Sequence, residues 1–531
     1  PLKIWKDSER KGFTNHFNPV MFAQNTKGLG KKMKKFIYDE SMQFRIMTEK
    51  QVKEVHESAL YVLENLGMIF AYEEALRLLE KAGCEVDYES QKVKFPRSIV
   101  EKCIESAPAT FDLYDREGNF YCTFGDGKTR FNPGSSAGNI LEADGQTVRL
   151  SRVKDLKLLT KVAQSLPHID FVSSSIVCEE APGELGSQYL YYTEMQNSVK
   201  PIIGGATDAE GAPRTFKLLK AVLGSEENVR TKPYTIFDIC VTSPLKWSHI
   251  GARNIIDCAN MNIPIELISA QIAGATGPVT LAGCILQHTV ELLGGLVLAQ
   301  VVKPGHPVVY GGAPCIFNMK TMYTPMEAME CSMVTAGYAQ MGRFYGLPVH
   351  TYAAMSDSKI VDYQAGSETA RSGLLAMLEG VSNVSGAGGL NVIAEMSIEK
   401  MVIDNDFIGT LKHLENGINF DETSLAAQLL IETGSGGNFM NKKHTLKNYK
   451  KEQNYSNITM NYQERASWIK EGRADIMDKA RAYVAEIDKK TICPLSDERR
   501  KALDEAFTEV CKDAGLTEET AKELIRMYDE A

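Results

Sequence analysis

The chain has no C-x-x-C pair and no cysteine–histidine spacing of a structural zinc site, although it holds 11 cysteines in 531 residues. At that density they exclude a disulfide scaffold and read as reduced thiols, mostly small core hydrophobes, which points to a cytoplasmic location. No bound metal is expected. Also missing is the G-x-S-x-G elbow of a serine hydrolase. The clusters Gly125-Asp126-Gly127 and Gly386-Ala387-Gly388-Gly389 match neither a dinucleotide fingerprint nor a phosphate loop, so no bound nucleotide is expected. The polar N-terminus carries no apolar core of signal-peptide type. The most apolar stretch, residues 263–302, is interrupted by Glu266, Gln271, His288 and Glu291, which argues against a membrane span. Positive charge is scarce as well. With 59 Lys+Arg against 68 Asp+Glu the net charge is −9, and the one dense basic cluster, residues 27–35, reads as a solvated arm. Nucleic acid is therefore not expected as the main ligand.

The composition that remains, 44% hydrophobic and 24% charged, is that of a folded globular chain. Residues 1–45 are polar and weakly patterned and read as an arm. Thr48 to Gln51 form a capping box ahead of Val52, Val55, Ala59, Val62 and Leu63 at helical spacing. Gly67 and Gly83 close that helix and the next, as glycine does beyond helix ends. Short strand runs at 92–95 and 110–114 complete an α+β extension over 46–125.

From about residue 126 the rhythm changes. Short β-rich apolar runs recur at 129–132, 169–177, 201–206, 235–242, 263–270, 307–312, 348–353 and 381–385, with helical patterns such as 280–302 and 327–341 between them. Eight alternating strand–helix units in about 270 residues predict an α/β fold of the (β/α)8 TIM-barrel type over 126–400. A charged helical region over 401–531 closes with a helical pair at 497–511 and 517–528.

A barrel places its site at the C-terminal ends of the strands. Ser135, Thr242, Gln271, Gly312 and Gly386 fall there, and the abundance of glycine suits the close approach of a large flat ligand or partner. Phe317, Tyr323, His350 and Tyr352 gather near the same end, and no acid–base triad is evident. Turn formation alone would explain any single glycine, and Tyr310 fits the core as well as the site.

Matched blocks in order give the chain a resemblance to the trimethylamine methyltransferase family. They run from Val55-His56-Glu57, Leu63 to Gly67 and Ala82 to Val86 through Leu113-Tyr114-Asp115-Arg116 and Thr242-Ser243-Pro244-Leu245. They continue with Phe344 to Pro348, Ser356-Asp357-Ser358-Lys359, Asp362-x-Gln364-Ala365-Gly366-x-Glu368 and Val402 to Asp406. The resemblance implies a TIM-type barrel that passes a methyl group from an amine to cobalamin carried by a separate corrinoid protein, with a homo-oligomeric assembly. It also exposes a departure. Archaeal members carry pyrrolysine just before the Ser-Asp-x-Lys block, and Met355 stands there in this chain. Members without pyrrolysine resemble methyltransferases for quaternary amines: glycine betaine first, with proline betaine, carnitine and γ-butyrobetaine as alternatives.

That substitution makes chemical sense. A quaternary ammonium leaves as a neutral tertiary amine and needs no general acid. Its recognition calls for aromatic faces, for which Phe317, Tyr323 and Tyr352 are candidates. A betaine carboxylate would need a donor, with His350 foremost and Arg130 or Lys359 as alternatives. Met355 would line the methyl channel, or fill a gap, and Asp357 and Glu368 would anchor the loop after the seventh strand. A non-catalytic betaine-binding barrel is the competing class. A lyase or aldolase would want a strand-end lysine, but Lys246 and Lys359 sit in blocks shared with the methyltransferases.

Overall fold

The computed structural model describes residues 44–454 and 457–531, so the arm expected over 1–45 and its basic cluster lie almost entirely outside the described residues. Eight parallel strands make one sheet: β1 (Arg130–Asn132), β2 (Val172–Ser173), β3 (Ile202–Gly205), β4 (Thr235–Cys240), β5 (Ile265–Ser269), β6 (Val308–Gly312), β7 (Val349–Tyr352) and β8 (Asn383–Ser385). Each falls inside one of the eight runs expected from the sequence. β8 pairs with β1 through Asn383 and Arg130. Between β1 and β2, Asp170 N donates to the Phe131 carbonyl at 2.8 Å while the Asp170 carboxylate accepts from Phe131 N at 2.8 Å. Lys412 Nζ holds that carboxylate at 2.6 and 2.7 Å, so the ring of strands is drawn together at this seam by an ion pair.

A helix follows every strand: α1 (Val153–Ser165), α2 (Gly186–Asn197), α3 (Gly211–Leu223), α4 (His249–Met261), α5 (Leu281–Val302), α6 (Met329–Tyr345), α7 (Tyr363–Leu378) and α8 (Ile398–Glu415). The eighth helix runs past residue 400, so the barrel extends beyond the boundary expected there. α5 is long and apolar enough to cross a membrane, yet 78% of its most apolar window is buried. The reason is coverage on every side. Its inner face meets the sheet, and the helices Glu49–Asn65 and Arg97–Ser106 of the N-terminal extension pack on its outer face. Gly294 and Gly295 admit Met68 and Trp247. A helix apolar all round is what such a sandwich requires.

The extension also caps the barrel's N-terminal end. The hairpin of Phe111–Tyr114 and Phe120–Phe124 inserts Leu113, Cys122 and Phe124 against Phe171, Ile203, Ile236 and Val309, all pointing into the barrel. A further hairpin, Asn139–Leu141 with Val148–Leu150, interrupts the first strand–helix connection around the Asp144-Gly145 turn. Near the C-terminus, Asp497–Asp513 and Glu518–Glu530 pack on α2 and α3, with Phe507 and Tyr528 against Tyr189 and Tyr192. Between α8 and that pair, the helices Glu422–Leu425, Ala427–Thr433, Lys443–Glu452 and Arg465–Lys470 bury none of their residues.

Candidate active site in the barrel

Strand alternation builds the site. On β4, Ile236, Asp238 and Cys240 share the inward face, and on β5 Glu266 and Ile268 share it. Asp238 and Glu266 are direct partners in the strand register, so two carboxylates stand side by side just above the apolar plug. Their surroundings are polar. Asn383 Nδ2 donates to Glu266 Oε2 at 3.2 Å, and His350 Nδ1 approaches Glu266 Oε1 at 3.3 Å. Asn132 Nδ2 lies 2.8 Å from both Asn383 Oδ1 and Ser385 Oγ, and His350 Nε2 lies 3.0 Å from the same hydroxyl. Gly205 and Gly311 complete the layer, because a Cβ there would meet the Asp238 carbonyl at 2.4 Å or the Leu267 carbonyl at 2.7 Å.

Among the described residues, no charged base answers these acids. Burial pushes both carboxyls up, and the charge of Asp238 raises Glu266 further. Burial also drives His350 down to about 3, so the imidazole is neutral and supplies hydrogen bonds but no charge. The two basic side chains that could have reached in are engaged elsewhere. Arg130, at the plugged end of β1, pairs bidentately with Asp126 at 2.9 and 3.0 Å, and Lys359 Nζ donates to the Asp357 carbonyl at 2.6 Å. One Asp238 oxygen and one Glu266 oxygen are buried without a hydrogen-bond partner. Cys240, one turn of the pleat above Asp238, is exposed although it points into the ring, so the space over the acids opens to solvent.

Tyr352 forms one wall. Its hydroxyl bonds Ser135 Oγ, and its ring meets His350 edge-on at 5.2 Å. The other two aromatic candidates stand apart from it. Phe317 lies half-buried in the loop after β6, where its N–H donates to the Ala273 carbonyl at 3.0 Å. Tyr323 is 42% exposed, its hydroxyl donates to Asn391, and Lys359 Nζ already covers its ring at 5.4 Å. Tyr352 packs in an apolar cap with Ile268, Ala313, Met326 and Met355, with Met355 1% exposed. Among the described residues, no ring contact joins any two of these three aromatics; Tyr352 meets His350.

Three mouth candidates turn elsewhere. Gly312 faces the helix layer, where a Cβ would meet His288 and Tyr338 at 2.8 Å; its neighbour Gly311 is the inward glycine. Gln271 is buried and donates to the Cys284 carbonyl at 3.2 Å. Thr242 is exposed in a turn closed on the Lys246 carbonyl at 2.8 Å. Gly386 lets β8 approach the loop after β7, since a Cβ would lie 2.3 Å from the Ala353 carbonyl. That loop is tied firmly. Asp357 accepts from the amides of Met326 and Glu327 at 3.2 and 2.9 Å, and Glu368 accepts from Ser356 Oγ and Asp357 N at 2.6 and 2.9 Å.

Sequence reasoning passed over the acid pair itself. Its signal was a lone carboxylate in each of two strand runs otherwise rich in apolar residues, where burial of a charge needs a reason. Among the described residues, no group of three or more His, Cys, Asp or Glu side chains is arranged to hold a metal ion.

Residues 22–515 match the sequence profile of the trimethylamine methyltransferase (MTTB) family. The glycine betaine methyltransferase of Desulfitobacterium hafniense (strain Y51) is 32% identical over 77% of this chain and 85% of its own length. The trimethylamine methyltransferase MttB of Methanosarcina thermophila is also 32% identical, over 76% of this chain and 85% of its own. A solved structure, the monomethylamine methyltransferase MtmB of Methanosarcina barkeri, aligns over 90% of each chain with 11% identity and a TM-score of 0.47.

Proposed function

The chain belongs to the trimethylamine methyltransferase family, and from that premise we propose that it demethylates a quaternary amine, passing the methyl group to Co(I) cobalamin on a partner corrinoid protein in the cytoplasm. The observation that supports this most is the pair Asp238 and Glu266: two carboxyls inside the barrel, Glu266 buried and Asp238 half-buried under an opening, with no basic partner among the described residues, make a seat for a permanent cation. Met355 agrees with it, because an apolar side chain replaces the residue with which the resemblance would have the archaeal enzymes take up a free amine.

In this reading the ammonium rests over Asp238 with the Tyr352 ring as one wall, a contact of roughly 0.5–2 kcal/mol in a desolvated setting. The methyl carbon is attacked on the side away from nitrogen, and the C–N electron pair leaves with nitrogen as a neutral tertiary amine. No proton is needed at nitrogen, so a neutral His350 and a site without a general acid suffice. The apolar cap around Met355 keeps water from the cation, and the anchored loop behind it fixes the geometry on which in-line transfer depends. The corrinoid protein would cover the open mouth, and cobalamin enters as the methyl acceptor it carries.

Glycine betaine is the first candidate substrate, as for the Desulfitobacterium relative. One observation favours the longer carnitine or γ-butyrobetaine. Arg130 and Lys359 are paired elsewhere and His350 is uncharged, so a substrate carboxylate does best held away from the acids. A spectrophotometric assay with Co(I) cobalamin and glycine betaine, proline betaine, carnitine, γ-butyrobetaine, choline and trimethylamine tests the proposal. Methylcobalamin from one quaternary amine is the expected result, and turnover of trimethylamine alone would overturn it.

A further inference from the structure

We propose that the pocket exchanges one proton for its substrate cation: Asp238 is protonated while the pocket is empty and yields that proton to solvent when a quaternary ammonium takes its place, Glu266 keeping its own. The inference rests on the quaternary-amine reading and adds to it a coupling between binding and pH.

Charge balance sets the protonation of the pair. Two carboxylates on neighbouring strands, inside a barrel and with no cation beside them, cannot both be ionised without leaving bare charge in a poorly solvated space. Two carboxylic acids make the empty pocket neutral. A quaternary cation brings a charge that no proton transfer can remove. If it entered the fully protonated pocket, the buried charge would be +1. If Asp238 releases its proton, the filled pocket is neutral again: one ammonium, one Asp238 carboxylate, one Glu266 acid. The O–H bond of Asp238 breaks, its electron pair stays on oxygen, and the proton leaves through the opening marked by the exposed Cys240. The order of loss follows burial, since Glu266 is fully buried whereas Asp238 is half-buried beneath the opening, nearer the solvent that receives the proton.

Other groups around Asp238 stay silent near neutrality. Cys240 on its own strand, at the rim of the mouth, is pushed up by the poorly solvating barrel wall around it and by the two acids. Tyr352 from β7 and Tyr191 from α2 are raised well above their usual range. His350 is down at about 3, and Glu266 is held protonated by burial and by Asp238. Glu194, behind Tyr191 on α2, is pushed up to about 8 and does not touch the pair.

Calorimetric titration in buffers of different ionisation enthalpy reads the exchange directly. The ligands are the quaternary amine selected by the methyl-transfer panel and tetramethylammonium, which has no titratable group at all. On the acid side of the Asp238 titration about one proton is released per cation bound, and affinity falls about tenfold per pH unit. On the alkaline side the release tends to zero and affinity becomes independent of pH. Asp238→Asn abolishes both the release and the pH dependence, whereas Glu194→Gln leaves both unchanged. The wild-type buffer series needs no variant, so a misfolded substitution cannot obscure the result. Cation binding with no buffer dependence between pH 5.5 and pH 8.5 would overturn the exchange and leave the quaternary-amine reading standing. Failure of every quaternary amine to bind would overturn both.

Discussion

Two layers of the same barrel obey one rule and end up opposite in character. At the N-terminal end, Ile203, Ile236 and Val309 point inward and meet Phe124 of the plugging hairpin. Two residues further along, on the same inward face, Asp238 stands over Ile236 and Gly311 over Val309. Alternation with period two carries the side chains inward in both layers, and only their chemistry differs. The lower layer is close-packed and dry. The upper one keeps two acids without a base and glycines where side chains would collide. Stability and function are therefore separated by a distance of two residues, and a substitution should act on one or the other.

The sharpest break of that comparison is Phe124→Ala. It removes the ring that fills the plug, so unfolding free energy should fall by about 3–5 kcal/mol. Methyl transfer per folded molecule should stay unchanged, because the acids lie a layer above. Activity lost in a variant that still melts cooperatively would show that the layers are not independent.

Next in size is a pH effect from outside the barrel. Glu194 on α2 and Glu379 beyond α7 are buried without hydrogen-bond partners for their oxygens, and burial pushes both up to about 8. A carboxyl raised in the folded state holds a proton that the unfolded chain has lost above about pH 4.5. Its contribution is complete at lower pH and is lost as pH rises to about 8, so stability should fall across that window. Glu194→Gln should recover on the order of 3 kcal/mol at pH 8.5 and little at pH 4.5, read as melting temperatures at the two values. Equal effects at both would mean that the carboxyl is already ionised in the folded protein.

Met355→Lys follows. An ammonium introduced next to Tyr352 and close to the acids would compete with the substrate cation, weakening binding by roughly 2 kcal/mol, about thirtyfold. Met355→Leu, which keeps volume without charge, should leave binding nearly unchanged. Unchanged kinetics in the lysine variant would remove Met355 from the channel and leave it as cap packing.

The barrel was legible because each strand is a contiguous run: 235–242 or 307–312 declares itself without reference to the rest of the chain. The hairpin around Asp144-Gly145 also carries a strong local turn signal, but the strand–helix rhythm does not call for it. The site was less legible for two reasons. Asp238 and Glu266 acquire meaning only when β4 and β5 pair, and nothing near either residue in sequence states that register. Parity decided the rest. Gly311 and Gly312 are adjacent in sequence, yet one faces the acids and the other a helix, and a one-residue difference reverses the side a strand residue serves. The aromatics differ for a similar reason: nearness to strand ends does not reveal that Tyr352 packs with Met326 and Met355 while Tyr323 stays 42% exposed.

The smallest effect gives the finest test, because Tyr352 belongs to both sides of the comparison. It packs in the apolar cap, yet its hydroxyl meets Ser135 and its ring borders the acids. Tyr352→Phe removes only the hydroxyl. Ser135 is half-buried beside an opening and can turn to water, so the loss should be about 0.5–1.5 kcal/mol of stability with cation affinity intact. Tyr352→Leu keeps apolar bulk but deletes the ring face, which should weaken binding of a quaternary ammonium by about 0.5–2 kcal/mol, or two- to thirtyfold in Kd. The pair of variants thus separates the two duties of one side chain, with melting temperature following the hydroxyl and Kd following the ring. If Tyr352→Leu lowers the melting temperature while affinity holds, Tyr352 belongs with the packing below it, and the cation is held by the carboxylates alone.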